Sequence, residues 1–457
     1  MLRYANSRTI EPLVFTYLQQ RAGDKPIFPN LQELIWMHAT PELALMVSPS
    51  LKILRIPHDD GSSNDNGNEH DEFGFRSRRH ALKTMLPSTL ARTPALEVLE
   101  LRLMGHESFW TPLSAAFSNR ERPLCPNLHT VHITESPRAL TKAAFEALSK
   151  VERLTELTID IVGMSSFFLE EWDAPSLTRS GSGTFASLKR LRIKSSAAGI
   201  AVVLRAVVAP RLSDVDLEAE KFDNQDWSLG VLVTEASAPA LRVAFASLRR
   251  LNARTVRRLG LTFHGFNKPL FALSAPPASG SGASWPETTQ PLLELPNVQD
   301  LTLVHPMENA RMSPPAVLSA WPALRALSLP EFVLTPDALR SVARTCTTLE
   351  QLSANSLSAD FLEQLPPDDT APLGDGPAPV LRELHVYSAL PSMDVTDASK
   401  VASFLYALFP RLDAERCYVR YDSSHPHPSA HRGGWFDVVR ELRSLQSARQ
   451  RNECSVT

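Results

Sequence analysis

One phrase recurs along the chain and constrains its fold more than any single residue. It consists of an aromatic or small residue, usually a proline and one variable residue, followed by L-x-x-L-x-[LIV], as in FPNLQELIW and TPALEVLEL. The eleven copies lie at Phe28–Trp36, Ser48–Ile56, Thr93–Leu101, Cys125–Ile133, Val151–Ile159, Phe185–Ile193, Ala209–Leu217, Leu295–Leu303, Trp321–Leu329, Cys346–Ala354 and Ala378–Val386. A twelfth, at Phe409–Val419, begins the phrase and then departs from it. L-x-x-L-x-L is the signature of leucine-rich repeats.

The intervals between the phrases fit one strand and one return segment in each repeat. From Leu128 to Leu154 the interval is 154 − 128 = 26 residues, which leaves room for a helix. Leu212 and Val298 are 298 − 212 = 86 residues apart, so this stretch is predicted to contain degenerate copies. VRRLGLTF at Val256–Phe263 is the candidate for one of them.

The segments between the phrases are typical of amphipathic helices. Thr335 offers an N-cap and Pro336 suits the first helical position. Leu339 and Val342 then begin an apolar stripe at helical spacing. Strand and helix in alternation predict an α/β leucine-rich-repeat solenoid, with a curved parallel β-sheet on the concave side and helices on the convex side.

The sequence predicts three regions. Residues 1–27 form an N-terminal cap segment, residues 28–420 form the solenoid, and residues 421–457 form a C-terminal loop and a capping helix. The solenoid contains polar or Pro/Gly/Ser-rich inserts, predicted to be disordered, at about 58–80, 271–290 and 364–379. The capping helix carries one apolar face, made of Trp435, Val438, Val439, Leu442 and Leu445.

Composition narrows the classes of partner. The 457 residues carry a net charge of −3, so there is no general basic field for nucleic acid or for an anionic membrane. No apolar run approaches the roughly 20 residues that a membrane-spanning helix needs. The four cysteines, Cys125, Cys346, Cys417 and Cys454, stand far apart and predict reduced thiols in an intracellular protein, cytoplasmic or nuclear.

Clusters of potential metal ligands occur in two polar loops. The first contains His58, Asp59, Asp60, His70, Asp71, Glu72 and His80, and the second contains His425, His427 and His431. A metal site needs ligands held at fixed positions, which polar loops of this composition do not provide. No phosphate-binding glycine motif or nucleophile motif accompanies them. We therefore expect no catalytic centre, no metal and no cofactor, and a loop-based metal-dependent enzyme is the remote alternative.

Two consecutive phrases carry like charges within one strand. LKRLRIK places Arg190, Arg192 and Lys194 on one face, and LSDVDLE places Asp214, Asp216 and Glu218 on the corresponding face of the next strand. Adjacent strands would bring the triplets to about 5 Å from each other. One interpretation is a lateral ladder of ion pairs that supports the sheet. The other is a charged stripe that recognises a partner.

The third and fifth positions of the L-x-x-L-x-L phrases point away from the leucines, because side chains alternate along a strand. These positions are predicted to line one wall of the solenoid. The wall contains Glu100, His132, Glu156, Thr158, Arg190, Arg192, Asp214, Asp216, Asp300, Glu383 and His385.

The phrases FPNLQELIW, LTPDALRSVARTCTTLEQL and VASFLYALFPRL, the last followed by a Trp-containing helix, resemble the F-box/leucine-rich-repeat proteins of mushroom-forming (basidiomycete-type) fungi. That resemblance implies a substrate receptor: an F-box docks on a Skp-type adaptor of a cullin ubiquitin ligase, and the repeats select the client. The 27 residues before Phe28 contain no Leu-Pro-x-Glu-like F-box opening, so no F-box residue is carried over.

The sequence therefore predicts a protein–protein interaction module. The resemblance makes it a substrate-recognition protein of a Skp–cullin ubiquitin ligase pathway, with protein clients and, if an F-box lies upstream, a Skp-type adaptor as partners. The alternative is an F-box-less or truncated repeat scaffold without a ligase role. Arg190, Arg192, Lys194, Asp214, Asp216 and Glu218 are the candidate partner-binding residues.

Overall fold

The computed structural model describes most of the repeat array. The described residues are 2–4, 12–23, 25–36, 43–56, 85–103, 125–135, 142–161, 184–220, 233–264, 285–304, 310–311, 320–365, 379–388, 395–417 and 433–456. The structural statements below concern these residues.

Every one of the eleven phrases contains a strand of an open parallel sheet, in which the strands follow the order of the chain. The degenerate copy predicted at Val256–Phe263 also forms a strand. The strands are β1 (Leu2–Tyr4), β2 (Glu33–Trp36), β3 (Ile53–Ile56), β4 (Val98–Leu103), β5 (Thr130–Glu135), β6 (Glu156–Ile161), β7 (Arg190–Ser195), β8 (Asp214–Glu220), β9 (Arg258–His264), β10 (Asp300–Val304), β11 (Ala310–Arg311), β12 (Ala326–Leu334), β13 (Gln351–Leu357) and β14 (Glu383–Ser388). The predicted α/β leucine-rich-repeat fold is confirmed.

Helices occupy several of the return segments between the strands. They are α1 (Pro12–Ala22), α2 (Leu43–Met46), α3 (Lys142–Ser149), α4 (Ala197–Ala206), α5 (Val233–Asn252), α6 (Trp285–Leu293), α7 (Pro336–Thr345), α8 (Val395–Leu408) and α9 (Gly433–Val456). The predicted cap of α7 is present: the Ala338 backbone N–H donates to Thr335 Oγ1 at 3.1 Å, and Pro336 begins the helix.

A tight turn precedes almost every repeat strand. The backbone N–H of the first leucine donates to the carbonyl three residues earlier, for example from Leu51 to Ser48 at 3.0 Å and from Leu324 to Trp321 at 3.1 Å. Proline often takes the second position of this turn, which its fixed φ angle favours. This explains the Pro in the repeated phrase. The twelfth phrase makes the same turn, from Leu412 to Phe409 at 3.0 Å, but no strand follows it in residues 413–417.

One carbonyl in most repeats holds the next repeat in register. The Lys189 carbonyl accepts from the backbone N–H groups of both Ser213 and Asp214, each at 2.9 Å. The Arg325 carbonyl does the same for Glu350 and Gln351, at 2.7 and 2.9 Å. Because these bonds involve only the main chain, the phrase can vary at these positions without losing the register.

The array divides into two compact units within β8, between Val215 and Asp216. In the first unit, β1 to β7 pair in succession and all in parallel. In the second unit, β9, β10, β12, β13 and β14 do so, with β11 on β12. Strand leucines such as Leu191 and Leu327 are buried, as are apolar helix residues such as Phe145 and Leu339.

The ends of the array differ in part from expectation. Within the segment predicted as a cap, Leu2–Tyr4 forms a strand that pairs with β2, which the repeated phrase did not indicate. Trp435, Val438, Val439 and Leu442 of α9 are buried as predicted, whereas Leu445 is half-buried.

The predicted inserts lie mostly outside the described residues. All of 58–80, and 271–284 and 366–378 of the other two, belong to the undescribed parts of the chain. The last six residues of the 271–290 insert are helical, because α6 begins at Trp285. Its Pro286 sits in the first turn of the helix, where the missing N–H has no helical partner to lose.

Candidate partner-binding face of the sheet

Side chains at the third and fifth positions of the repeated phrase define what we call the exposed face of the sheet. At all eleven positions predicted for the wall, from Glu100 to His385, the residue is at least partly exposed. The residues between them, such as Leu191 and Leu384, are buried. The predicted exposure of this face is therefore confirmed, and its side chains are available for contacts outside the core.

In the first unit, ion pairs link neighbouring strands across the exposed face. Arg55 on β3 lies between Glu33 on β2, at 3.8 Å, and Glu100 on β4, at 3.5 Å. Lys52 and Glu97, at the preceding position of the phrase, form a closer pair at 3.0 Å. All five side chains keep part of their surface in water, so each pair contributes at most about 1 kcal/mol to folding.

The predicted basic triplet lies on β7 of the first unit. Arg190 and Arg192 are exposed and Lys194 is half-buried. Arg190 Nη1 lies 3.4 Å from Glu156 Oε1 on β6, the strand before it, where the sequence had suggested partners on the strand after it. Arg192 and Lys194 also interact within the protein. The Arg190 contact is the type of pair that the lateral-ladder interpretation requires.

The predicted acidic triplet lies on β8, where the two units divide. Asp214 belongs to the first unit, and its Oδ2 accepts a hydrogen bond of 2.5 Å from Ser213 Oγ. Asp216 and Glu218 belong to the second unit. All three carboxylates are half-buried on the exposed face and interact within the protein. Contact between the complete triplets stays a prediction.

In the second unit, Glu383 is the centre of a polar cluster. Its carboxylate accepts from Gln351 Nε2 at 2.7 Å and from Arg416 Nη1 at 2.9 Å, and His385 Nε2 lies 3.6 Å away. The Glu383 side chain is only 16% exposed. These contacts fix the orientation of the Glu383 carboxylate.

Gly260 on β9 allows a carboxylate to lie close to the sheet. A Cβ atom at this residue would lie 2.7 Å from Asp216 Oδ1, closer than real Cβ atoms approach other atoms. Sequence reasoning did not single out Gly260. The available signal was a glycine at the fifth position of the phrase, inside a strand, which often marks the close approach of another group.

The three cysteines whose side chains the structure describes show no sign of reactivity. Cys125, Cys346 and Cys417 are free and buried. Burial raises the pKa of Cys125 to about 12, opposed only in part by a hydrogen bond with Thr93. It also raises the pKa of Cys417 to about 12, and raises the pKa of Cys346. Thiols with raised pKa values remain protonated near neutral pH and are poor nucleophiles.

Metal ligands do not cluster in the described part of the chain, where no group of three or more His, Cys, Asp or Glu side chains could hold an ion. The histidine-rich segments at 58–80 and 425–431 lie outside it. Across the described helices, none has the length and apolar character to cross a membrane.

Comparisons with known proteins identify no family. No family model matches the sequence, and no curated protein matches it. A solved structure, titled as the crystal structure of a TLR13–ssRNA13 complex, aligns with 84% of this chain at 11% identity, with a TM-score of 0.28. This chain covers 54% of that one, about half its length. The fold assignment therefore depends on the strand order and the repeated turns.

Proposed function

We propose that this protein recognises other proteins through the exposed face of its sheet. The observation that carries the proposal is the alternation in each repeat strand, where buried leucines support partly exposed polar side chains. A repeat array repeats that arrangement strand after strand and so provides an extended surface. Function then depends on the side chains placed there.

The finer proposal is that the protein is the client-recognition component of a Skp–cullin ubiquitin ligase. Its support is the resemblance of the phrases at Phe28–Trp36, Leu334–Leu352 and Val401–Leu412 to fungal F-box/leucine-rich-repeat proteins. In that role the repeats would bind the client and a Skp-type adaptor would bind elsewhere.

A repeat scaffold without a ligase role is the second candidate, and one observation favours it. Near the N-terminus, β1 pairs with β2, and Phe15 of α1 packs against Trp36 with ring centroids 6.3 Å apart. These described residues are thus part of the repeat array and supply no separate docking module.

Co-purification from source cells separates these two candidates. The full chain, tagged at its C-terminus, is captured and its partners are identified by mass spectrometry. A Skp-type adaptor recovered in stoichiometric amount, together with client proteins, supports the ligase role. Clients recovered without the adaptor support the scaffold.

The candidate binding residues need a charge-matched control. Alanine replaces Arg190, Arg192 and Lys194 in the test variant, and Arg249, Arg250 and Arg254 of α5 and its following turn in the control. Both variants lose three positive charges. If the β7 triplet recognises a partner, only the first variant should bind more slowly and with a weaker dependence on salt. If both variants bind with the same rate and salt dependence, the β7 triplet acts only as a lateral ladder of ion pairs.

A further inference from the structure

On β2 to β7 of the first unit, the exposed face is polar except at three neighbouring positions. Ile35, Ile53 and Val98 occupy third or fifth positions of their phrases and are half-buried, whereas the other such positions carry charged, hydroxyl or imidazole side chains. The register places Ile53 directly beside Val98. Ile35 lies on the adjacent strand, opposite Arg55 and two residues beyond the level of Ile53.

Strand propensity alone does not account for this placement. β-Branched residues favour strands in general, yet β5 and β6 meet the same preference with threonine at Thr130 and Thr158. The three aliphatic side chains face away from the buried leucines, so they add little to the core. They form a small apolar area on the surface that the proposed function assigns to partners.

Ion pairs border this apolar area. Lys52 and Glu97 pair at 3.0 Å on the side before Ile53 and Val98. Glu33 lies beside Ile53, and Arg55 and Glu100 lie in one row with Ile35. Arg55 pairs with Glu33 at 3.8 Å and with Glu100 at 3.5 Å. An apolar centre within a polar rim is the arrangement of energetically dominant contacts in protein interfaces.

The rim also indicates the charge of the partner. The Lys52–Glu97 pair is neutral, whereas Glu33 and Glu100 share the single guanidinium of Arg55, at distances beyond the 3.2 Å of a good hydrogen bond. A cation from a partner would complement the remaining negative charge.

We propose that Ile35, Ile53 and Val98 are the docking point for an aliphatic side chain of a client protein, and that Glu33 and Glu100 bind a Lys or Arg next to it. The partner is thus a protein segment in which an aliphatic residue neighbours a basic one. This inference rests on the proposed function and adds to it a location and a partner chemistry.

The test uses a random-sequence peptide display library selected on the full-length chain. Selected peptides should be enriched in an aliphatic residue within two positions of Lys or Arg. A synthetic copy of the most enriched peptide, measured by fluorescence anisotropy, should bind Ile53→Thr and Val98→Thr variants about tenfold more weakly. Both substitutions keep the branch at Cβ and so preserve the strand. Thr158→Val on β6 is the control and should bind like the wild type.

The charged half of the proposal has its own variant. Glu33→Gln combined with Glu100→Gln should bind the selected peptide more weakly and should abolish the advantage of Lys over norleucine at the basic position. No enrichment of basic residues, or an unchanged preference in this variant, would overturn the assignment of the two glutamates.

Two outcomes separate failure of the docking point from failure of the proposed function. Peptides whose binding is lost on replacing Arg190, Arg192 and Lys194 but retained in Val98→Thr would overturn this docking point and leave recognition by the exposed face intact. A library that yields no binder, or binders insensitive to every substitution on the exposed face, would overturn both.

Discussion

Replacing Leu191 with alanine is expected to lower the free energy of unfolding by about 3 kcal/mol. Leu191 is fully buried on β7, in register with the equally buried Leu157 on β6. Burial of a leucine side chain contributes about 1.5 to 3 kcal/mol. The cavity left behind adds to this, so that Leu→Ala changes in cores typically cost about 2 to 5 kcal/mol. Main-chain bonds on either side of β7 limit collapse around the cavity.

Leu191→Asp should be more disruptive than Leu191→Ala. It creates the same loss of packing and also places a carboxylate where no polar partner exists among the leucines, which adds several kcal/mol or forces the carboxyl to remain protonated. Each repeat contacts mainly its neighbours, so the damage should begin in β6 and β7.

Urea unfolding followed by circular dichroism measures the loss of unfolding free energy in Leu191→Ala. Hydrogen exchange shows which strands are destabilised first. Thr158→Ala on the exposed face of β6 is the control, with an expected cost below about 1 kcal/mol. Equal midpoints for Leu191→Ala and Thr158→Ala would refute the assignment of alternating core and exposed positions. So would exchange that rises in α9 before it rises in β6.

Three further effects can be measured on purified protein. Thr335→Ala removes the cap of α7 and should cost about 1 kcal/mol in urea unfolding, with Thr347→Ala as a non-capping comparison. Cys125 and Cys417, whose pKa values burial raises from 9.0 to about 12, should resist iodoacetamide at pH 8 until the protein unfolds. Because the folded-state pKa values of these two thiols lie above the unfolded ones, the stability they contribute is complete below pH 9 and is lost as the pH rises toward 12. The thermal midpoint should therefore fall between pH 8 and pH 10. An unchanged midpoint together with rapid alkylation would contradict this. Gly260→Ala should destabilise the second unit by displacing the Asp216 carboxylate, and Asp216→Ala should relieve much of that cost in the double variant.

The repeated phrase predicted the strands because it contains two independent signals. Alternating leucines specify which face is buried, and the turn before each first leucine fixes where the strand starts. The degenerate copy in β9 kept enough of the alternation to be found. Strand β1 carries neither signal in its three residues, so it could be identified only from its pairing with β2.

The exposed face was predictable in outline and not in its contacts. Alternation alone places Arg190 on this face, but a strand has neighbours on both sides at nearly equal distance. The rotamer decides between them, and Arg190 turns toward Glu156 on β6. The aliphatic residues Ile35, Ile53 and Val98 were part of the recognised phrases, yet their adjacency depends on the register between strands, which spacing along the chain did not provide.

Lateral ion pairs and partner recognition can occupy the same face because the pairs are weak. The Arg190 and Glu156 side chains are 54% and 37% exposed, so water screens their attraction and the pair contributes at most about 1 kcal/mol. A partner that offers a carboxylate to Arg190 can therefore displace Glu156 at little cost in stability. The same weak contact restricts the rotamers of Arg190 before binding, which lowers the entropy that association must overcome. Added salt should consequently weaken partner binding far more than it lowers the unfolding midpoint, whereas a ladder with only a structural role would link the two responses.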